Sequence, residues 1–446
     1  MSNPANSRRD FIKLSSAGVI GGAGAWNAAS YARIPGANDR IGVGVAGCSE
    51  RAMEALIPAL EAVSSEQNCE IVAVSDIWKL RREEGADFIG KLTGKPIAKA
   101  RNNDELYDLK NVQAVIIATA DHQHALHGVE AARAGRDAYI EKPLANTMAD
   151  ARAILKAVRE TKRVIQIGTQ RRSAQNTILA KEFIQSGEFG AINSVELSLN
   201  ANQPGRWRRP KLVEALRRED TDWKRYLMGR AKEEWDPHKY VEFRLYWPYS
   251  SGIPCQWMVH QLDALHFITG LQRPRSVIAH GGIYQWRDGR INPDTVTAVF
   301  DYGPPDDPSR GFQVVFSSRM GNSMSGNRDM YYSYLGSFDA VNGKITPEGG
   351  LTERYAKGKY KPTQLKERTL DIERGSGATA NPSAEVDDDV VAHMRNWIEC
   401  IRSRRSPVAD IEAGYNHSVA LCMTIAAMRS GNRATFDDAK QEVVIS

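Results

Sequence analysis

The sequence predicts an α/β protein whose first part is a doubly wound parallel sheet. Three observations support this fold class. Residues 41–46 are an apolar strand that enters a glycine turn and then a helix. Further apolar strands at 70–75, 112–118 and 138–140 alternate with helical patterns, as βαβ units require. The chain has 446 residues, 42% of them hydrophobic, which is enough for two or three domains with their own cores.

The turn after the first strand is the first candidate cofactor site. A helix start after a glycine turn presents free N–H groups that can hold a pyrophosphate. Of the fingerprint G-x-G-x-x-G/A, Gly47 and Ala52 match, whereas Ser49 replaces the middle glycine, so its side chain must point away from the phosphates. We predict that the residues of this turn bind the cofactor; they are Gly47, Cys48, Ser49, Glu50 and Arg51.

The second strand ends in Asp76, about where an acid binds the adenosine ribose hydroxyls. An aspartate there repels a 2′-phosphate and favours NAD, although Arg81 and Arg82 are close enough in sequence to leave NADP open. The alternative for Asp76 is a helix cap after the strand.

The strand at 112–118 is followed by Thr119 and by a helix start that includes His124. We expect both residues beside the cofactor. His122, His124 and His127 also raise the alternative of a metal, but no acid or cysteine completes a recognisable ligand set, so we predict no metal site.

The strand at 138–140 ends in Glu141, Lys142 and Pro143. Ligands in open α/β sheets bind outside the carboxyl ends of the strands, where this lysine can reach a substrate. Pro143 removes a backbone donor and keeps Lys142 out of the helical region. The alternative is an ordinary surface lysine.

The second half of the chain carries an aromatic and basic segment, residues 203–249. The basic run at 206–209 predicts a loop that reaches over a site. The aromatic side chains of this segment stack either on a sugar or on one another; they include Trp207, Trp223, Trp235, Tyr246 and Trp247. Further on, His260 and Asp263 share a helix face, and histidine suits acid–base chemistry near neutral pH.

These pieces together resemble the glucose–fructose oxidoreductase / inositol dehydrogenase / MocA (Gfo/Idh/MocA) family. The resemblance rests on the Gly47 turn, Asp76, Glu141-Lys142-Pro143, residues 167–172 and the segment from Gly252 to Gly270. It implies a Rossmann dinucleotide-binding domain at 39–165. It also implies a substrate and oligomerisation domain at 166–446, of α/β class with an open, mostly antiparallel mixed sheet, and a homodimer or homotetramer.

The resemblance also implies roles for individual residues. Lys142 would hydrogen-bond the reacting hydroxyl and His260 would be the acid–base. The family motif D-x-x-x-H-x-x-D has Gln256 in place of its first acid, and glutamine holds no charge that raises imidazole basicity. Further expected contacts are Gln256, Asp263, Arg171 and Tyr246 to the substrate, and Glu141, Lys142 and Gln170 to the cofactor.

The predicted function is an NAD(P)-dependent oxidoreductase that acts on a hydroxyl of a sugar, polyol or sugar derivative, with a tightly bound cofactor. Two alternatives remain open. One is an NAD-dependent glycoside hydrolase that oxidises, eliminates and returns the hydride. The other is a non-catalytic sugar- or nucleotide-binding relative, suggested by Ser49 and Gln256.

The first 32 residues resemble a twin-arginine export signal. Arg8 and Arg9 precede a Gly/Ala-rich apolar run, and small residues favour cleavage after Ala32. The alternative is an amphipathic N-terminal helix. We therefore expect a periplasmic or otherwise exported protein that uses the twin-arginine machinery. Without this segment the net charge falls from +5 to +3, too little to suggest nucleic acid as a partner.

Overall fold

Two sheets organise the chain from Ile41 to its end. The computed structural model describes residues 39–304, 307, 310–350, 354, 365–371 and 387–446. The predicted export signal, residues 1–32, lies outside the described residues.

The first sheet has six parallel strands in the order β3-β2-β1-β4-β5-β6. The strands are β1 Ile41–Ala46, β2 Cys69–Ser75, β3 Ala98–Ala100, β4 Ala114–Ile117, β5 Asp137–Ile140 and β6 Ile165–Ile167. Their order reverses between β1 and β4, so the connections on either side leave a crevice at the carboxyl ends of these strands. The predicted doubly wound sheet is confirmed.

Helices cover this sheet on both faces. They are α1 Ile57–Ser64, α2 Lys79–Thr93, α3 Asn103–Asp108, α4 His124–Arg133 and α5 Met148–Thr161. A wide π-helical turn, Ala52–Leu56, leads into α1. The amphipathic pattern predicts a helix from 148 to 160, and α5 begins where Thr147 accepts a hydrogen bond from the backbone N–H of Asp150.

The second sheet is open and mixed, with the order β14-β13-β12-β11-β7-β10-β9-β8-β15-β16. Only β7 and β10 pair in parallel among its described strands, which confirms the mostly antiparallel sheet that the resemblance implies. The strands are β7 Ile192–Asn200, β8 Ser276–Gly282, β9 Thr295–Tyr302, β10 Phe312–Arg319, β11 Asn327–Ser333, β12 Gly336–Asp339, β13 Lys344–Pro347, β14 Arg368–Thr369, β15 Ala434–Asp437 and β16 Glu442–Ile445.

The remaining helices join the two sheets. They are α6 Gln175–Gln185, α7 Pro210–Ala215, α8 Trp223–Leu227, α9 Pro237–Val241, α10 Val259–Thr269, α11 Asp388–Ser403 and α12 Ile411–Ser430. A second π-helical turn, Pro254–Met258, precedes α10. Within the described ranges, no helix has the length and apolar character that a membrane span needs.

The last third of the chain returns to the first sheet. Trp397 of α11 is fully buried, and its ring lies 5.8 Å from that of Tyr139 in β5. The predicted boundary between residues 165 and 166 falls inside β6. The two domains are therefore less separate along the sequence than the strand pattern suggests.

Candidate nucleotide and substrate site

A cavity of about 500 Å³ lies at the point where the strand order of the first sheet reverses. The turns after β1, β2 and β4 form one wall. The other wall comes from residues 203–249, here called the covering segment, and includes Arg206, Trp207 and Arg209. The prediction that the basic run reaches over a site is confirmed.

Gly47 is required where β1 ends. Its φ is +90°, and a Cβ atom there would lie 2.8 Å from the carbonyl oxygen of Ala118. The backbone N–H of Gly47 also donates to the carbonyl oxygen of Ser75, at 2.8 Å. The ends of three strands thus meet at one residue that cannot carry a side chain.

Ser49 resolves the departure from the glycine fingerprint. Its hydroxyl accepts a hydrogen bond from the backbone N–H of Ala52 at 3.3 Å, so the side chain turns back to the helix start. This is the orientation that a serine needs at this position.

Asp76 bonds backbone groups that follow β1 and β2. Its carboxylate accepts from the backbone N–H groups of Cys48 at 2.9 Å and of Trp78 at 2.8 Å. Helix α2, which follows, has no side-chain cap, so the alternative of a helix cap is wrong. The side chain also lines the cavity and is half-buried. Burial raises the pKa of its carboxyl group.

Glu50 brings a negative charge to a turn that is expected to hold phosphates. Arg209 of the covering segment forms an ion pair with it at 2.8 Å, and Arg81 lies 3.9 Å away. The hydrogen bond from Arg209 holds the pKa of Glu50 below its ordinary value. The two guanidinium groups therefore offset the charge of Glu50.

The cavity fits a dinucleotide. The Gly47 turn lines the cavity, and the neighbouring Thr119 hydroxyl is buried in the cavity wall without a hydrogen-bond partner. Buried polar atoms are normally satisfied, so such an oxygen is a position where a ligand can bond.

Lys142 stands at the end of β5, held by a buried carboxylate. Arg51 pairs with Glu141 at 2.8 Å, and Glu141 accepts from the backbone N–H of Lys142. The Lys142 ammonium donates to the main-chain oxygen of Gln256 at 3.0 Å. Burial lowers the pKa of Lys142 to about 8, although the charges of Glu141 and Asp121 oppose this shift.

Gln256 is fixed by a buried polar network. Its amide nitrogen donates to Asp121 at 2.6 Å, and its amide oxygen accepts from Arg244 at 2.9 Å. Asp121, only 2% exposed, also accepts from the hydroxyl of Ser250 at 2.6 Å. The acid that position 256 lacks is thus present nearby, contributed by the turn after β4.

His260 lies one helical turn after Gln256 and is half-buried. Burial, together with the charges of Lys142 and Arg171, lowers its pKa well below the ordinary value. The imidazole is therefore neutral at physiological pH and can accept a proton.

Three predicted substrate contacts have partners within the protein. Asp263 is fully buried and binds both ends of the Arg172 fork, at 2.7 and 3.0 Å. Arg171 pairs with Asp329 at 2.9 Å. Tyr246 accepts from Arg208 at 3.2 Å and does not line the cavity. Burial and these bonds favour a supporting role for Asp263, whereas the substrate contacts of Arg171 and Tyr246 stay predictions.

Asp263 supports the lysine turn through a histidine. His417 lies 3.4 Å from the Asp263 carboxylate, and its other ring nitrogen accepts from the backbone N–H of Leu144 at 3.3 Å. Despite burial, Arg172 and His417 hold the pKa of Asp263 well below its ordinary value. Asp263 thus helps to position the turn that carries Lys142.

The three neighbouring histidines have separate protein partners. The ring nitrogens of His124 lie 2.9 and 3.1 Å from the carbonyl oxygens of Pro143 and Thr119, so this ring connects two strand ends and does not line the cavity. His122 contacts the carbonyl oxygen of Tyr226, and His127 contacts Asn103 and Glu130. Across the described part of the chain, no group of three or more potential metal ligands is assembled.

The aromatic residues of the covering segment pack mainly on one another. The rings of Trp223 and Tyr226 stack at 5.1 Å, and Trp235 contacts Trp223 edge-on at 5.4 Å. Trp207 differs because it lines the cavity, with its ring 5.8 Å from that of Trp257.

Only some of the predicted site residues line the cavity. The predicted residues that line it are Gly47, Cys48, Ser49, Glu50, Arg51, Asp76, Thr119 and Gln256, whereas those that do not are Lys142, Glu141, His124, Gln170, His260, Asp263, Arg171 and Tyr246. Sequence reasoning missed Asp121 and Arg244, which carry no motif; the basic run at 206–209 is the signal that marked Arg206 and Arg209.

Comparison with known proteins agrees with this architecture. Inositol 2-dehydrogenase from Salmonella paratyphi B is 28% identical over 207 residues, which are 45% of this chain and 57% of that enzyme. The chain thus matches little more than half the length of this curated relative.

Solved structures extend the similarity of fold to nearly the whole chain. The WlbA dehydrogenase from Bordetella pertussis, in complex with NADH and UDP-GlcNAcA, has a TM-score of 0.63 at 19% identity and covers 89% of this chain and 98% of its own. The aldose-aldose oxidoreductase from Caulobacter crescentus has a TM-score of 0.63 at 18% identity, with 89% and 100% covered.

Residues 41–169 match the family profile described as "Oxidoreductase family, NAD-binding Rossmann fold". This match confirms both the expected family and NAD as the expected cofactor of the first domain, with NADP still open. Residues 41–169 therefore carry the NAD-binding domain of the Gfo/Idh/MocA family of oxidoreductases.

Proposed function

We propose that this protein is an NAD(P)-dependent oxidoreductase that acts on a hydroxyl of a sugar, polyol or sugar derivative. One arrangement carries the proposal. Lys142, with a pKa of about 8, donates to the main chain of Gln256, in the helical turn that leads to the neutral His260. The Gln256 side chain lines the nucleotide-sized cavity. The activities named for the inositol and aldose relatives support the substrate class.

In the proposed reaction, the substrate hydroxyl lies between Lys142 and His260. The neutral imidazole accepts the hydroxyl proton, and the Lys142 ammonium donates a hydrogen bond to the developing alkoxide. The bound nucleotide supplies the hydride acceptor at its nicotinamide ring. Asp121 and Arg244 hold the Gln256 amide from both sides, which fixes the wall of the site.

We also propose that the nucleotide stays bound through turnover. The covering segment is tied over the cavity by ion pairs from Arg209 to Glu50 and from Arg230 to Asp150, both 2.8 Å, and from Arg225 to Asp104. Release of a nucleotide requires these contacts to open. Retention also suits a protein that leaves the cytoplasm, where free NAD(P) is made, through the export signal predicted at residues 1–32.

The first test identifies the nucleotide. Protein purified without added cofactor is denatured, and the supernatant is analysed by mass spectrometry. We expect close to one NAD(H) or NADP(H) per chain, and an empty supernatant contradicts retention.

Mature protein in the periplasmic fraction, beginning near residue 33, would support export. Light scattering distinguishes the expected homodimer or homotetramer from a monomer.

The second test addresses catalysis. A panel of sugars and polyols is screened for nicotinamide reduction or oxidation at single turnover. Lys142→Met and His260→Ala should each lower the rate about 10²- to 10⁴-fold and leave the nucleotide content unchanged. Lys91→Met, at an exposed helix position, is the matched control. If neither site variant changes any turnover, the chain is a non-catalytic binder.

A retained nucleotide also favours the glycosidase alternative, because oxidation followed by elimination returns the hydride within one site. Aryl glycosides distinguish the two reactions. Release of the aglycone without net formation of NADH supports the glycosidase, whereas exchange of oxidation state between two sugars supports the oxidoreductase.

A further inference from the structure

Two arginine side chains in the cavity wall have no acidic partner. Neither Arg206 nor Arg244 forms an ion pair with any residue that the structure describes, whereas the other arginines of the cavity lining do. Arg244 uses only its Nε–H, toward Gln256, and its guanidinium lies 4.5 Å from the ring centre of Phe243. Its four remaining N–H donors have no described acceptor.

Arg206 approaches the same region from a sharp turn of the covering segment. Its guanidinium lies 5.8 Å from the ring centre of Trp257. The next residue, Trp207, is buried with a φ of +70°, a conformation that bulky residues rarely adopt. Strain of this kind persists where the surrounding structure fixes a side chain at a functional position.

The two arginines belong to the substrate end of the cavity. Arg244 bonds the Gln256 side chain, and the main chain of Gln256 accepts from Lys142. The diphosphate of a dinucleotide belongs at the Gly47 turn, where the neighbouring Arg209 is already paired with Glu50 and so offsets an acid of the protein.

The lining of the cavity carries more cationic than anionic side chains. Six arginines and three carboxylates line the whole cavity. Burial and mutual repulsion among Arg206, Arg209 and Arg244 lower the pKa of Arg206. Unpaired cations in a partly buried wall are costly, and a bound anion would remove this cost.

We propose that the substrate is an acidic sugar, whose anionic group is bound by Arg244 and Arg206 while its hydroxyl faces Lys142. This inference rests on the proposed oxidoreductase function and adds the substrate class to it. A planar guanidinium fork matches a carboxylate with two parallel hydrogen bonds, so a hexuronate fits best. Sulfate and phosphate esters share the charge and form separate arms of the test.

The experiment measures binding, so that it does not depend on turnover. Nucleotide-loaded protein is titrated calorimetrically with the gluco-, galacto- and manno-configured hexuronates, with the matching neutral hexoses, and with hexose 6-sulfates and 6-phosphates. We expect at least one hexuronate to bind about tenfold or more tightly than its neutral partner. Raising the salt concentration should weaken the binding of the hexuronate and leave the binding of the hexose unchanged.

Variants then assign the effect to the two arginines. Arg244→Gln and Arg206→Gln should each lower the affinity for the hexuronate about tenfold or more and change the affinity for the hexose less than about threefold. Arg206→Gln is the cleaner change because its side chain has no described hydrogen bond. Arg244→Lys keeps the charge and should restore part of the affinity. Arg133→Gln, at an exposed position, is the control.

Three results would overturn the inference. The first is equal binding of hexuronates and hexoses; the second is equal weakening of both in the variants. The third is loss of the nucleotide in the variants, which would assign these arginines to the diphosphate. In the first two cases a sugar still turns over if the proposed oxidoreductase function holds, whereas failure of that function shows as absence of nucleotide or of any turnover.

Discussion

Replacement of Asp121 by asparagine should lower the pKa of Lys142. Lys142 has a pKa of about 8 because burial lowers it while Glu141 and Asp121 oppose that effect. An opposite charge within about 4–6 Å shifts a pKa by about 1–3 units, and Asp121 is the weaker of the two carboxylates. We therefore expect a pKa near 7, a change of about 1.4 kcal/mol in the balance between ammonium and amine.

The substitution is designed to keep the local structure. Ser250 and Gln256 both donate to the same oxygen of Asp121, so the single amide oxygen of asparagine can accept both hydrogen bonds. The charge is removed while the contacts remain.

The assay is competitive acetylation as a function of pH, read by peptide mass spectrometry with the exposed Lys156 as internal reference. In the wild-type protein, the reactivity of Lys142 should rise through about pH 8. In Asp121→Asn it should rise about one pH unit lower. Asp87→Asn, an exposed neutralisation, should leave the curve in place. An unchanged curve in Asp121→Asn would refute this account of the charge on Lys142.

Three further predictions concern the rest of the site. Gly47→Ala should abolish nucleotide binding, because the new methyl would lie 2.8 Å from a carbonyl oxygen, whereas Gly94→Ala has open space at a similar positive φ and should keep its nucleotide; nucleotide content after purification distinguishes them. Arg51→Met should lower the free energy of unfolding by about 3–5 kcal/mol because it leaves Glu141 buried and unpaired, and urea denaturation should show recovery in the double variant with Glu141→Gln. Asp263 has a lowered pKa in the folded protein, so its contribution to stability is present above about pH 4 and is lost as the pH falls. Asp263→Asn should therefore lower the melting temperature at pH 7 and reduce the fall in melting temperature between neutral and acidic pH. If the melting temperature of the variant falls with pH as steeply as that of the wild type, this account is contradicted.

Much of the first sheet could be predicted because local patterns determine it. Continuous apolar strands, the glycine at position 47 and the acid at position 76 are each marked in the sequence by their residue type and their place in or directly after a strand. The lysine at the end of β5 followed from the rule that strand ends carry the site. In these places the rule for strand ends is enough, although the contacts themselves join different βα units: Gly47 packs on Ala118 and Asp76 binds Cys48.

The rest of the site depends on contacts between distant segments. Asp121 and Gln256 are 135 positions apart, so the sequence showed a missing acid at 256 but not the carboxylate beside it. Asp263 shared a helix face with His260, yet its partner Arg172 directs it into the interior. Pairings of this kind arise from tertiary packing, which residue spacing does not encode.

The packing of α11 against β5 has a consequence for the evolution of this chain. The segment that matches the family profile ends at residue 169, but the surface of β5 around Tyr139 is covered by Trp397, more than 200 positions later. A recombination event that transferred only the matching segment would expose apolar surface to water and invite aggregation. The nucleotide-binding domain can therefore be inherited as a unit only together with α11.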